Sequence, residues 1–252
     1  MDTGFWIALA ILLGLVVFGV GLVGLDCRLA RQEFGVYFGF RALWLFCKLW
    51  HGVRPPNRDP LPRTGPAILI SNHTSPADPI FLQCATRRIV TFLMAREYHD
   101  IWFLRPIFEL AKPILVNRTG QDTAAVRATL RALGRGAVIG VFPEGGIHLD
   151  ADSLGPAKPG TALLALLTKV PVIPARVERP VHTNRLIEGI MRPARARVYF
   201  GPAVDLGQYY GTEPDEQVLE EVTGILMESI RNAGRAPDPQ RSNTNSAGRS
   251  TS

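Results

Sequence analysis

The chain has 252 residues, of which 46% are hydrophobic, with a mean hydropathy of +0.10 and a formal net charge of +6. That length holds one α/β domain with a sizeable core plus a membrane segment, and that hydropathy is high for a wholly soluble enzyme. A basic balance suits an anionic partner. However, no nucleic-acid motif is present and the aromatic residues gather at the N-terminus, so nucleic acid is excluded and lipid is the expected partner. The three cysteines, Cys27, Cys47 and Cys84, are widely spaced without a CxxC pair. They predict neither a disulfide framework nor a zinc site, and they fit a reducing compartment.

Thr3 to Leu25 carries no charged residue. At about 1.5 Å per residue it is long enough to cross a hydrocarbon core of about 30 Å. No basic region precedes it, which favours a retained anchor over a cleaved signal. Arg28, Arg31, Arg41 and Lys48 follow it and place the C-terminal side in the cytoplasm by the positive-inside rule. Phe34 to Trp50 is a second apolar stretch, broken by Arg41 and Lys48 and rich in Trp, Tyr and Phe. It predicts an interfacial helix with snorkelling cations rather than a second span. Residues 1–50 are therefore expected to be a membrane anchor, 51–232 a catalytic domain that begins with a Pro- and Arg-rich linker over His51–Gly65, and 233–252 a disordered tail.

Within the central domain, short apolar runs at 67–70, 89–94, 114–117, 137–142, 171–177 and 195–200 read as strands. Helical patterns fall near 78–86, 101–111, 122–134, 160–169 and 214–232. Asp122 reads as an N-cap, with Val126, Leu130 and Leu133 on one helix face. Thr212-x-x-Asp215 reads as a capping signal for the last helix, whose stripe is Val218, Leu219, Val222, Ile225 and Leu226. The alternation predicts an α/β fold with a sheet flanked by helices, without fixing the strand order.

The strand run ending at Ile70 opens into Asn72-His73-Thr74-Ser75-Pro76-Ala77-Asp78. On a continuous helix, His73 and Asp78 would lie about 140° apart. Pro76 imposes a turn that lets the carboxylate fold back onto the imidazole. A carboxylate on one ring nitrogen fixes the tautomer and leaves the other free to take a proton. The motif holds a general base and no nucleophile, so the nucleophile is expected to be a hydroxyl of the substrate. The run ending at Phe142 opens into Pro143-Glu144-Gly145-Gly146. There Glu144 can accept from substrate hydroxyls and the glycines permit close approach of a ligand to the backbone. Arg118, at the end of another strand, and Lys158, just before a helix N-terminus, are candidate phosphate ligands.

These pieces in this order resemble the lysophospholipid acyltransferase family, including the bacterial 1-acylglycerol-3-phosphate acyltransferases. Asn72, His73 and Asp78 match its Asn-His-x4-Asp pattern, Arg118 its strand-end arginine, Phe142 to Gly145 its Phe-Pro-Glu-Gly block, Lys158 and Gly160 its Lys-x-Gly step, and Val172 to Pro174 its Val-x-Pro segment. The resemblance covers about residues 50–205. It implies a glycerolipid acyltransferase-like mixed sheet behind an N-terminal pair of membrane helices at the inner membrane, with the catalytic domain on the cytoplasmic side. It also implies transfer of an acyl group from acyl-CoA or acyl carrier protein to a lysophospholipid hydroxyl in phospholipid biosynthesis, without metal or bound cofactor. His73 and Asp78 would be catalytic, and Asn72, Arg118, Glu144, Gly145 and Lys158 would bind substrate. One departure bears on the acceptor. The family block usually continues Thr-Arg-Ser, whereas here it continues Gly146-Ile147-His148, so the family arginine is Ile147. Three alternatives stay open: a different lysolipid or hydroxyl acceptor, a membrane-bound hydrolase using water, and a lipid-binding scaffold.

Overall fold

The computed structural model describes residues 34–55, 57–99, 101, 108, 111–117, 122–150 and 153–234. The first membrane segment at 3–25, most of the helix expected at 101–111, Arg118, and residues 235–252 of the expected tail lie outside these. The chain divides into two compact units at Phe46/Cys47.

Helix α1 spans Phe34–Trp50, the bounds read from the sequence. Within its first unit Arg41 lies over the Trp44 ring, 5.2 Å from the centroid, and Phe38 and Leu45 are exposed. No helix among the described residues is long and apolar enough to cross a membrane.

The second unit is built on six strands: β1 (Ala67–Ser71), β2 (Val90–Ala95), β3 (Ile114–Val116), β4 (Val138–Val141), β5 (Val172–Glu178) and β6 (Arg197–Phe200). They form one sheet in the order β3-β2-β4-β1-β5-β6. All neighbours are parallel except β5 and β6, which are antiparallel, so the sheet is mixed. β1 is buried along its whole length between β4 and β5, which is why its sequence is continuously apolar instead of alternating. Its register, Ile70 opposite Val141 and Ser71 opposite Ala175, brings the C-terminal ends of β1, β4 and β5 to one rim.

Helices α2 (Asp78–Ala85), α3 (Arg96–His99), α4 (Thr123–Gly134), α5 (Gly160–Thr168), α6 (Leu186–Met191) and α7 (Glu216–Asn232) cover the sheet. Ile68 and Ile70 share one core with Leu133 of α4, Ala162 of α5, and Val222 and Leu226 of α7. Phe81 of α2 is fully buried, and α2 packs against β5 and β6. Asp122 caps α4 by accepting from the Ala125 amide, as its position predicts. The buried stripe of α4 is Ala125, Thr129, Ala132 and Leu133, while Val126 is exposed. At the start of α7, Asp215 is itself the N-cap, accepting from the Val218 amide, so Thr212 is not the capping residue.

The segment His51–Gly65 is not a loose linker. Arg54 bridges to Arg197 beside β6, and the Asn57 amide exchanges two hydrogen bonds with the Phe200 backbone, at 2.6 and 3.0 Å. Val53 and Leu61 are buried. The strap satisfies an otherwise open sheet edge, where unpaired backbone groups invite aggregation. At the other end of the chain, packing continues past α7: Ala233 is buried and Gly234 lies against the Tyr199 ring. Cys47 and Cys84 are free thiols, and a hydrogen bond with Cys47 together with burial pushes the Cys84 thiol far up.

Candidate active site

The site lies where β1 and β4 end side by side. His73 Nδ1 is 3.1 Å from Asp78 Oδ2. The turn that joins them is closed by the same oxygen, which also accepts the Thr74 and Ser75 amides at 2.7 and 2.8 Å. Asp78 is fully buried in the first turn of α2, where helical amides favour a negative charge. Asp78 Oδ2 already accepts two amides, so the ring nitrogen facing it is a donor: His73 Nδ1 carries the proton and Nε2 is left as an acceptor. The ring keeps 16% of its side-chain surface exposed, enough for one edge to meet a substrate.

The opposite side of the imidazole is covered by Phe142, whose ring stacks on it at 4.0 Å between centroids and 17° between planes. Phe92 in turn stacks on Phe142 at 5.8 Å. Phe92 pairs with Gly140 across β2 and β4, and a Cβ at 140 would sit 2.3 Å from the Phe92 ring. The glycine therefore makes room for the aromatic column that ends on His73. Phe142 entered the sequence reading only as a letter of a motif, because periodicity cannot show what an aromatic side chain rests upon.

Glu144 is buried, and both of its oxygens are engaged: Oε1 accepts the His73 amide at 3.1 Å and Oε2 the Gly155 amide at 3.2 Å. Burial pushes its carboxyl above the usual carboxylate range, opposed by those two hydrogen bonds. It ties the β4 loop to the His73 backbone. Gly155 permits the contact, since a Cβ there would lie 2.8 Å from Oε2. His148 closes the same knot through its amide, which donates to the His73 carbonyl at 2.7 Å. Its ring Nε2 lies 3.2 Å from Ser153 Oγ, which donates to Asp150 at 2.6 Å. An odd histidine in a loop carried no sequence signal for this role.

Asn72 is likewise committed within the protein. Its Oδ1 accepts the Val177 amide at 2.8 Å and its Nδ2 donates to the Val177 carbonyl at 3.0 Å. It splices the exit of β1 onto β5. Gly145 adopts a left-handed backbone, φ 67°, and a Cβ there would meet Lys158 Cε at 2.9 Å. The close approach that the glycine permits is made by the Lys158 stem. That exposed lysine is anchored by its amide on the Pro143 carbonyl, and its ammonium has no carboxylate partner among the described residues. The structure thus brings His73, Asp78, Glu144, Gly145 and Lys158 to one rim. Among the described residues no group of three His, Cys, Asp or Glu side chains is placed to hold a metal ion.

A buried carboxylate steering a histidine at the rim of a mixed α/β sheet is the arrangement of a general base, and the serine of the same turn, Ser75, is fully buried with its Oγ accepting the Ala77 amide at 3.4 Å. Residues 53–178 match the Acyltransferase family, and the chain belongs to it. The chain is also 25% identical over 199 residues to a 1-acyl-sn-glycerol-3-phosphate acyltransferase of Bacillus subtilis, covering 77% of this chain and 94% of that protein. The crystal structure of the 1-acyl-sn-glycerophosphate acyltransferase PlsC from Thermotoga maritima shares the fold. Its TM-score is 0.61 at 20% identity, and the likeness covers 85% of this chain and 88% of that one.

Proposed function

We propose that this acyltransferase esterifies the free hydroxyl of a lysophospholipid, most directly 1-acylglycerol-3-phosphate, using an acyl thioester of coenzyme A or acyl carrier protein. The observation that carries the reading is the buried Asp78 holding His73 Nδ1 while Nε2 stays open. His73 Nε2 takes the hydroxyl proton as the oxygen attacks the thioester carbonyl. Asp78 stabilises the imidazolium, the C–S bond breaks, and the departing thiolate recovers the proton. General-base assistance of this kind is typically worth about 10²–10⁴ in rate. The names of the Bacillus and Thermotoga relatives support the acceptor class.

Work at a membrane surface completes the proposal. A lipid acceptor drawn fully into water would expose its chain at about 0.8 kcal/mol per CH₂. The catalytic unit shows Leu49, Trp50, Ile187 and Met191 to solvent, with the Trp50 indole donating to the Met191 carbonyl at 2.8 Å. Exposed Arg185 and Arg192 flank that apolar group. An apolar patch rimmed by cations suits an anionic bilayer on the cytoplasmic side. The helix pair expected at the N-terminus would hold the enzyme there.

The test is product analysis with labelled acyl-CoA and a panel of lysolipids on anionic vesicles, with which the protein should co-float. Labelled diacyl glycerophosphate is the expected product. Label recovered only as free fatty acid would replace transfer by hydrolysis, and a preference for neutral acceptors would assign the enzyme to another hydroxyl.

A further inference from the structure

A cavity of about 300 Å³ opens beside the catalytic turn, and its lining includes Asn72 and Thr74 of that turn together with Arg176, Glu178, Arg179, His182 and Arg231 of α7. Among the described residues, three arginines therefore meet a single lining carboxylate. Arg176 lies 3.4 Å from Glu178 and also donates to the Arg231 carbonyl at 2.9 Å. Arg231 pairs with Glu228 on its own helix. Arg179 has no carboxylate partner among the described residues, and neither it nor exposed His182 is held by a side-chain hydrogen bond. Arg179 also sits in the left-handed backbone region at φ 55°, a conformation costly for any residue but glycine. Thr74, 4% exposed, carries a hydroxyl without a hydrogen-bond partner among the described residues. A buried unpaired hydroxyl lining the same cavity as an unpaired guanidinium is a set of donors that lacks an acceptor. The β4 loop has no arginine or lysine between Pro143 and Ala157, and the cation that packs against it is Lys158, whose stem lies over Gly145.

We propose that this cavity binds a phosphate monoester of one of the two substrates, with Arg179 and His182 meeting the charge and the Thr74 hydroxyl donating to a phosphate oxygen. The assignment deepens the function given above and rests on its reading that the substrates are phosphorylated. A concavity of this size suits one phosphate group and its ester rather than a protein surface. The same chemistry is offered by the acceptor headgroup and by the phosphates of coenzyme A.

The experiment uses the full chain. Arg179→Gly removes the guanidinium while suiting the left-handed backbone, so loss of folding is not the expected outcome, and Arg179→Lys restores a charge. Calorimetric titration with inorganic phosphate should show binding weakened about tenfold or more in Arg179→Gly and partly recovered in Arg179→Lys. Unchanged phosphate binding overturns the site, whether or not the enzyme transfers acyl groups. Weakened binding in a protein that proves to transfer none would keep the site and remove the acyl-transfer reading instead. Steady-state kinetics then separates the sources. A raised KM for a lysophosphatidate but not for a neutral monoacylglycerol assigns the cavity to the acceptor. A raised KM for acyl-CoA but not for the acyl-N-acetylcysteamine thioester assigns it to the donor. If neither KM moves, the cavity is not a substrate site.

Discussion

Asp78→Asn should lower kcat by about 10² or more while leaving the fold intact, and Asp78→Ala should lose both activity and stability. The difference follows from the geometry. One oxygen, Oδ2, receives all three donors: the His73 ring and the amides of Thr74 and Ser75. Asparagine presents a carbonyl oxygen of the same reach, so the turn survives and the imidazole keeps its orientation. What disappears is the negative charge that stabilises the imidazolium as the proton moves. Alanine removes the acceptor altogether and strands two buried amides, at about 1–3 kcal/mol each. Rates at saturating substrate and denaturant midpoints, measured on both variants, check the two halves separately. A wild-type kcat in Asp78→Asn would mean that the charge has no part in the reaction.

The second large effect lies one residue pair away from any reacting atom. Gly140→Ala should destabilise the protein by about 1–3 kcal/mol and reduce kcat together with it. The new methyl would stand 2.3 Å from the Phe92 ring and 2.8 Å from Val90 Cγ1. Phe92 must then leave its place, and with it goes the stack on Phe142 that backs His73. Shortening Phe92 to Leu in the same chain should return most of the stability, because the clash is relieved, but not the full activity, because the aromatic column stays broken. Chemical denaturation and kcat on the single and double variants read both. Equal stability of Gly140→Ala and wild type would show that the column is looser than its distances imply.

The sequence carried the strands well because β1, β4 and β5 are buried on both faces, and continuous apolar runs such as Ala67 to Ile70 have few other readings. It carried the His73–Asp78 contact because Pro76 forces a turn within a five-residue spacing. Strand order was not legible, since pairing β1 between β4 and β5 depends on packing over long sequence separations. The polar residues of the motifs were legible as a group but not in their hydrogen-bond partners. Asn72 and Glu144 hold backbone groups that become their neighbours only in the fold. Short elements such as α6 escaped because six residues give no reliable helical period. The strap over residues 51–65 escaped because its Pro and Arg content resembles that of a free linker, whereas its order comes from the edge of β6.

The central claim is that His73 is the base that makes a lipid hydroxyl reactive toward an acyl thioester. It is tested most directly by following labelled acyl transfer at saturating donor and acceptor for wild type and His73→Ala. The account predicts a fall of about 10²–10⁴ in kcat for His73→Ala with little change in thermal stability, since the ring is partly exposed and backed by Phe142. A His73→Ala enzyme that forms labelled ester at the wild-type rate would contradict it.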